Sequence, residues 1–285
     1  MKSKFTQVLQ PFKINDKSIE SFQQWTSLWS QQMHIDISIP ETDLTNKPQY
    51  LKPFKVTRKT KAENNCDNTF LIELEPQHRK RFTSGDLLAI YPKNDHRERL
   101  YSIGKVDRKV QLSVKLHYKG IGSTTLHNLQ IGDTLKARII RNTGFHSPKN
   151  SKTTIMIANG TGIAPFLGML DQNRSKSMHL YFGLRTAKSK ALYHEAIQQA
   201  LHSNQVKSIK YALSQEENSC YVQDLILEDE SFIADTLKQN GNIMICGSLA
   251  MYEGVLEVLK YIIDKHLNTS SEYYFNRQQI KSDCY

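Results

Sequence analysis

The sequence predicts two domains, a small antiparallel β-barrel followed by an α/β domain with a parallel sheet. Residues 54–140 contain short alternating strands with close turns, a pattern typical of a small barrel. From residue 151, apolar strands alternate with helices, as in βαβ units. The predicted boundaries are 1–50 for a helical N-terminal segment and linker, 51–148 for the barrel and 149–285 for the α/β domain.

Each element of the first half has its own sequence signal. Apolar residues at helical spacing predict an amphipathic helix over 18–33, and three prolines predict a linker over 35–53. Strict alternation predicts strands at 69–74 and 110–116. Gly85-Asp86 and Gly132-Asp133 each precede a short strand-like run, and one short helix is expected within 120–129.

The second half of the sequence has a different hydrophobic pattern. Apolar runs predict strands at 154–158, 178–182, 209–213 and 243–246. Helices are expected from the turn after the first strand through Leu170, at 191–200 and at 250–266. This alternation is typical of a nucleotide-binding sheet.

The charge is strongly positive. The formal net charge is +10, and the basic residues cluster in Arg79-Lys80-Arg81, in Arg97 and Arg99, and in Lys136, Arg138 and Arg141. Such clusters form either a solvated basic surface or a docking face for an acidic protein partner. Because no nucleic-acid motif accompanies them, we expect no nucleic-acid role.

Cysteine usage and hydropathy favour a soluble protein of a reducing cytoplasm. The four cysteines lie far apart without CxxC spacing, which argues against zinc and against a disulfide framework. The longest apolar stretch, 153–170, is interrupted by polar residues, glycines and a proline, so we expect no membrane span. No apolar segment follows the basic N-terminus, and we expect no signal peptide.

The turn Gly160-Thr161-Gly162 offers a site for a dinucleotide. It follows a strand and precedes a helix with Pro165 in its first turn, so backbone amides and a helix N-terminus meet there. The order is not GxGxxG, and an ordinary tight turn between strand and helix is the alternative.

Six short motifs follow one another along residues 54–285. They are, in chain order, Arg99-Leu100-Tyr101-Ser102, Lys119 to Leu126, Gly160 to Phe166, Tyr181 to Arg185, Tyr221 to Asp224 and Cys246-Gly247. Together they resemble the motifs of the ferredoxin–NADP reductase superfamily. The resemblance is closest to its diflavin reductase branch, which includes sulfite reductase flavoproteins and cytochrome P450 reductases.

The resemblance implies an FAD site in the barrel. Arg99 would hold the pyrophosphate, Tyr101 would pack on the isoalloxazine ring and Ser102 would reach the flavin N5 region. Leu100, the remaining residue of the motif, would also belong to the FAD-binding residues. The second segment would offer amides and hydroxyls to the same pyrophosphate, from Gly120, Gly122, Ser123 and Thr124.

The resemblance also implies an NAD(P) site and a group of catalytic residues. Nucleotide-binding residues would be Gly160, Thr161, Gly162, Ile163, Ala164, Pro165, Arg185, Ser214, Gln215, Tyr221, Gln223, Cys246 and Gly247. The catalytic residues would be Ser102, Cys246, Asp283 and Tyr285, with the terminal aromatic ring covering the flavin until nicotinamide stacks.

Two departures from the branch affect function. Ser214-Gln215 and Ser219 stand where NADPH-using relatives carry an arginine and a lysine for the 2′-phosphate, so NADH use becomes plausible; Lys207 or Lys210 is a candidate replacement. The helical segment that separates Gly85-Asp86 from Arg99 in the branch is missing. We also expect no FMN domain, although residues 5–33 resemble the last strand and helix of one, as in a remnant.

The expected function is therefore an FAD-dependent oxidoreductase. A hydride would pass from NADPH or NADH to FAD, and single electrons would go to an acidic flavodoxin-like or haem protein. The alternatives are a flavin-binding electron-transfer or regulatory module without nucleotide turnover, and a non-enzymatic scaffold.

Overall fold

The computed structural model describes residues 19–37, 50–62, 67–79, 81–92, 97–148, 151–174, 176–267 and 269–285. Its contacts divide the chain into two compact units, Met1–Gln49 and Tyr50–Tyr285. The first unit contains the predicted helix, α1, at Ile19–Met33. The strand suggested near Phe5 lies outside the described residues.

The second unit begins with an antiparallel sheet. Its elements are β1 (Lys52–Lys59), β2 (Thr69–Pro76), β3 (Leu87–Ile90), β4 (Arg99–Ser102), β5 (Gly104–Val106), β6 (Lys109–Lys115), α2 (Ile121–Asn128) and β7 (Thr134–Ile140). The strand order is β4-β3-β7-β1-β2-β6-β5. Because only Ile103 separates the two edge strands along the chain, the sheet must curl so that its edges meet, as a barrel requires. The predicted linker ran to Pro53, but Pro53 pairs with Lys136 inside β1.

The second half is a parallel sheet with helices. Its elements are β8 (Thr153–Asn159), α3 (Ala164–Asp171), β9 (Ser177–Leu184), α4 (His194–His202), β10 (Ser208–Leu213), α5 (Val222–Glu228), α6 (Glu230–Lys238), β11 (Asn242–Gly247), α7 (Leu249–His266), α8 (Ser271–Asn276) and β12 (Ile280–Cys284). The strand order is β10-β9-β8-β11-β12. Two apolar clusters cover the two faces of this sheet, which explains why its strands are almost wholly apolar.

The predicted strands and the three predicted helices of this half are present. The helix expected from residue 191 begins at His194, because Ala187–Tyr193 forms a 3₁₀ helix. The sequence analysis did not predict α5, α6, α8 or β12, and the five residues of β12 are mostly polar. This strand is ordered by pairing with its neighbour β11.

A buried carboxylate fixes the connection between the two sheets. Asp86 is almost fully buried and accepts hydrogen bonds from the backbone N–H groups of Thr83 and Asn142, both at 2.9 Å. Its other contact is with Nε2 of His146 at 2.6 Å. The Gly85-Asp86 turn thus also anchors the chain segment that leads into β8.

None of the helices in the described part of the chain is both long enough and apolar enough to span a membrane.

Candidate functional site

The two predicted flavin motifs are in direct contact. Arg99-Leu100-Tyr101-Ser102 forms the edge strand β4, and the start of α2 packs against it. A Cβ atom at Gly122 would lie 2.8 Å from the Tyr101 hydroxyl oxygen and 2.9 Å from Cγ of Arg99. Only glycine therefore allows the helix backbone to approach the strand this closely.

The hydroxyl groups of the second motif are used within its own loop. Ser123 is buried, and its Oγ accepts the His117 N–H at 3.1 Å and donates to the Gly120 carbonyl at 3.1 Å. The Thr124 hydroxyl lies 3.5 Å from the His117 carbonyl. These contacts hold the turn at the N-terminus of α2, and the binding of pyrophosphate by the two hydroxyls stays a prediction.

Arg99 and Tyr101 lie on the side of β4 that faces this helix start. The Arg99 guanidinium donates to the carbonyl of Arg97 at 3.2 Å, which holds it near the beginning of the strand. Burial raises the pKa of Tyr101 to about 12, with Arg99 opposing the shift. The phenol is therefore neutral at physiological pH, and its ring is available for packing.

Three of the predicted catalytic residues meet where the barrel contacts the parallel sheet. The Ser102 hydroxyl donates to Oδ2 of Asp283 at 2.6 Å. Asp283 pairs with Cys246 across β12 and β11. The serine, the acid and the thiol thus come from three strands that are far apart in the sequence.

Burial dominates the protonation of this cluster. It raises the pKa of Asp283, and the hydrogen bond from Ser102 opposes that shift. Burial, with the nearby Asp283 and Cys284, raises the pKa of the Cys246 thiol well above its usual range. Cys246 is fully buried and keeps its proton at physiological pH.

The terminal tyrosine is fixed by its backbone. The Tyr285 N–H donates to the Gly247 carbonyl at 2.9 Å, and the Tyr285 carbonyl accepts from the Leu249 N–H at 3.2 Å. Its hydroxyl lies 2.7 Å from Oγ1 of Thr161. The ring is 61% exposed at the end of a cavity, so it can cover a ligand without being part of the core.

A cavity of about 600 Å³ opens at the carboxyl ends of the parallel strands, the usual place for a ligand in such a sheet. Of the predicted nucleotide residues, the following line it: Gly160, Thr161, Arg185, Ser214, Tyr221 and Gln223. Tyr285 lines it too. The barrel contributes Asp67, Thr69, Lys115 and His117, which sequence reasoning missed.

Part of the glycine turn faces the core instead. The predicted residues that do not line the cavity are Gly162, Ile163, Ala164, Pro165, Gln215, Cys246 and Gly247. The first four are buried by the 3₁₀ turn Gly160–Ile163 and the first turn of α3. A Cβ at Gly162 would lie 2.1 Å from the Cys246 carbonyl oxygen, so this glycine serves packing between β8 and β11.

Comparison with known proteins agrees with this geometry. Residues 156–257 match the oxidoreductase NAD-binding domain family. The chain is 32% identical over 231 residues to NADPH oxidoreductase A of Dictyostelium discoideum, covering 70% of this chain and 36% of that protein. It is 28% identical over 228 residues to the NADPH sulfite reductase flavoprotein alpha-component of Aliivibrio fischeri, covering 73% and 37%.

The fold has a close counterpart among solved structures. Ferredoxin–NADP⁺ reductase from Plasmodium falciparum superimposes with a TM-score of 0.69 at 22% identity, covering 84% of this chain and 98% of that one. The chain thus has the fold of a ferredoxin–NADP⁺ reductase, and its residues 156–257 match an oxidoreductase NAD-binding domain. It resembles the diflavin reductases in sequence and spans little more than a third of the length of the two curated relatives given above.

An ion pair at the cavity positions Arg185, the side chain that is predicted to bind the nucleotide phosphate. Arg185 follows β9, and its Nε lies 3.7 Å from Oδ1 of Asp67. The other oxygen of Asp67 accepts the Ser189 hydroxyl. Asp67 comes from the barrel loop before β2, so the two halves of the module jointly orient this arginine.

A second polar pair joins two strand ends at the cavity wall. Oδ1 of Asn159 accepts the Ser248 N–H at 2.9 Å, and the Asn159 amide donates to Oγ of Ser248 at 3.0 Å. Ser248 is the N-cap of the 18-residue α7 and accepts the Met251 N–H at 3.3 Å. The N-terminus of a long helix thus opens on the cavity, where it favours an anion.

The two candidate replacement lysines do not line the cavity. Lys210 forms an ion pair with Asp229 at 2.7 Å, and Lys207 donates to Oδ1 of Asn204 at 2.8 Å. Neither takes the place of the cations that NADPH-using relatives carry.

Proposed function

We propose that this chain is an FAD-dependent oxidoreductase that takes a hydride from NADPH or NADH and delivers single electrons to a separate protein acceptor. The observation that carries the proposal is the contact between Ser102 of the flavin motif and Asp283, which lies beside Cys246 and two residues before Tyr285, a residue that lines the cavity. A donor in the cavity and an acceptor in the barrel would meet at this point.

The residues present fit FAD. Gly122 brings the helix start against Arg99 and Tyr101, and a side chain there would fill the space. Arg99 would bind pyrophosphate oxygens, since a guanidinium matches phosphate geometry, and Tyr101 would pack on the ring system. When bound, FAD supplies an acceptor for a hydride and a carrier that passes electrons on singly.

The residues at the junction hold protons and exclude water. Ser102 keeps its proton directed at Asp283, and the buried Cys246 thiol stays neutral beside them. Asp283 provides a negative charge or a proton acceptor close to the place where nicotinamide would develop positive charge. Tyr285 would hold the nicotinamide position closed until the nucleotide displaces its ring, which would break the contact between its hydroxyl and Oγ1 of Thr161 and keep the backbone hydrogen bonds.

Basic side chains suit an acidic acceptor. Arg79, Arg81, Lys136 and Arg141 are exposed, whereas Arg138 is paired with Glu98 at 2.6 Å. Positive charge on one partner and negative charge on the other speeds association. We propose an acidic flavodoxin-like or haem protein as the acceptor and the cytoplasm as the compartment; relatives include a sulfite reductase flavoprotein and the nitric oxide synthase of Anopheles stephensi.

Reconstitution tests the proposal. The full chain is loaded with FAD, and reduction of cytochrome c by NADH and by NADPH is followed with and without the flavin. We expect turnover only when the flavin and a nucleotide are both present. Stoichiometric FAD binding without any turnover would contradict the reductase function and favour the electron-transfer module.

A further inference from the structure

The order of the strands fixes the direction in which a dinucleotide would lie in the cavity. Along the sheet order, Tyr285 follows β12, Thr161 follows β8, and Ser214 follows the edge strand β10. On the proposed function, nicotinamide must lie at the Tyr285 end, beside Ser102 and Asp283. The adenosine half therefore extends toward the loop between β10 and α5.

That loop is built without a cation. Residues 214–223 contain no lysine or arginine and carry two glutamates, Glu216 and Glu217. Glu216 is fixed close to the strand ends, because its carboxylate accepts the Ala187 N–H at 2.7 Å. The Gln215 N–H donates to the Arg185 carbonyl at 2.8 Å, which ties the loop to the end of β9.

The two serines of the loop contact backbone carbonyl groups. The Ser219 hydroxyl donates to the Ser214 carbonyl at 3.1 Å, and the Ser214 hydroxyl lies 3.5 Å from the Leu184 carbonyl. The Cys220 N–H donates to the Leu213 carbonyl at 3.1 Å and closes the loop. A neutral hydroxyl at either position supplies no positive charge to a 2′-phosphate.

Among the residues that the structure describes, the cationic side chains lining the cavity are Lys115 and Arg185, and Arg185 already faces the carboxylate of Asp67. These two charges match those of a pyrophosphate. Lys190, in the 3₁₀ helix after β9, lies 4.4 Å above the Tyr211 ring. A phosphate monoester carries a charge of about −1.5 to −2 at pH 7, so a 2′-phosphate would lie uncompensated beside Glu216 and Glu217.

We infer that the cavity takes a dinucleotide whose adenosine ribose has a free 2′-hydroxyl, so that NADH and not NADPH is the electron donor. The inference rests on the proposed function and deepens it. It departs from the relatives compared above, whose names specify NADPH. The difference lies in the residue types at Gln215 and Ser219 and in the two glutamates between them.

Two measurements on the FAD-loaded full chain test the inference, one of nucleotide-fragment binding and one of flavin reduction. Calorimetry compares 5′-AMP with its 2′-phosphorylated counterpart, and rapid mixing compares flavin reduction by NADH and NADPH. We expect 5′-AMP to bind at least about tenfold more tightly, a difference of about 1.4 kcal/mol, and kcat/KM to favour NADH by a similar factor.

A charge-gain variant locates the cause. Gln215→Arg combined with Ser219→Lys should raise the ratio of kcat/KM for NADPH over that for NADH by about 10- to 100-fold, because each new cation gives a charge-assisted hydrogen bond to the 2′-phosphate. Gln239→Lys, at an exposed position away from the cavity, adds a charge as a control and should leave the ratio unchanged.

The outcomes distinguish failure of the NADH preference from failure of the proposed reductase function. Flavin reduction by NADPH as fast as by NADH, or equal binding of the 2′-phosphorylated fragment, would overturn the inference and leave the reductase function standing. The same holds if the double variant gains nothing with NADPH. Absence of flavin reduction with either nucleotide would overturn the reductase function, and the preference with it.

Discussion

At the scale of single residues, a few side chains connect distant parts of the sequence. Ser102 and Asp283 are 181 positions apart and form a 2.6 Å hydrogen bond. Asp67 and Arg185 come from different halves of the module and face each other across the cavity. Two predictions belong to this scale, one about the binding of FAD by Arg99 and one about the protonation of Asp283.

Replacement of Arg99 should release FAD. Arg99→Ala removes the guanidinium proposed to bind pyrophosphate, and loss of a charge-assisted hydrogen bond should weaken FAD binding by about 10- to 100-fold. The flavin-to-protein ratio after gel filtration measures this. Arg174→Ala is the control, because the described hydrogen bonds of that side chain go to the nearby carbonyls of Asp171 and Asn173. Equal flavin content in the two variants would contradict the role of Arg99 in binding FAD.

Replacement of Asp283 should change how stability depends on pH. Burial raises the pKa of Asp283 in the folded protein, so the folded state holds this proton more tightly than the unfolded state does. The side chain therefore contributes stability at pH values below its unfolded pKa of about 3.9, and that contribution is lost as the pH rises through the raised pKa.

The measurement compares urea unfolding of the wild type and Asp283→Asn at pH 4 and pH 7. We expect the free energy of unfolding of the variant, relative to the wild type, to be higher at pH 7 than at pH 4. Glu257→Gln removes an exposed carboxylate of α7 and should show no such trend. A constant difference for Asp283→Asn would mean that its pKa is not raised.

At the scale of secondary-structure elements, glycines set how closely strands and helices approach. Gly122 lets α2 contact β4, and Gly162 lets the turn after β8 contact β11. Gly160 has a different role, since its φ of +50° is left-handed and no atom lies within 4 Å of its would-be Cβ. The two glycines of one turn are therefore required for different physical reasons.

Alanine substitutions at Gly160 and Gly162 should distinguish the backbone requirement from the packing requirement. Gly162→Ala places a methyl group 2.1 Å from a backbone oxygen and should cost about 3 kcal/mol of stability by overpacking. Gly160→Ala should cost about 1 kcal/mol, from left-handed backbone alone. Denaturant unfolding of both variants measures the two costs, and equal costs would refute the packing role of Gly162.

The elements that the sequence predicted well are those whose signal is local. The strands of the parallel sheet are apolar runs between turns, and the glycine turn precedes its helix as expected. By contrast, β12 is short and mostly polar, and it is stabilised by pairing with β11. The cavity residues Asp67, Lys115 and His117 had no motif, because only the packing of the barrel against the parallel sheet brings them there.

At the scale of the whole molecule, the packing of the barrel against the parallel sheet creates the site. Buried Ser113 of the barrel hydrogen-bonds Tyr193 of the second half at 2.8 Å, and Arg58 pairs with Glu195 at 2.8 Å. Together with the contact between Ser102 and Asp283, these bonds hold the flavin motif against the carboxyl edge of the parallel sheet. Neither half alone contains both the flavin motif and the cavity.

Anaerobic mixing of the FAD-loaded protein with NADH is the decisive experiment for hydride transfer to the flavin. We expect the visible absorbance band of the flavin to be bleached within the time of mixing or shortly after, and we expect NADPH to bleach it more slowly. If neither nucleotide bleached a stoichiometrically bound flavin, hydride transfer across the junction of Ser102, Asp283 and Tyr285 would be contradicted.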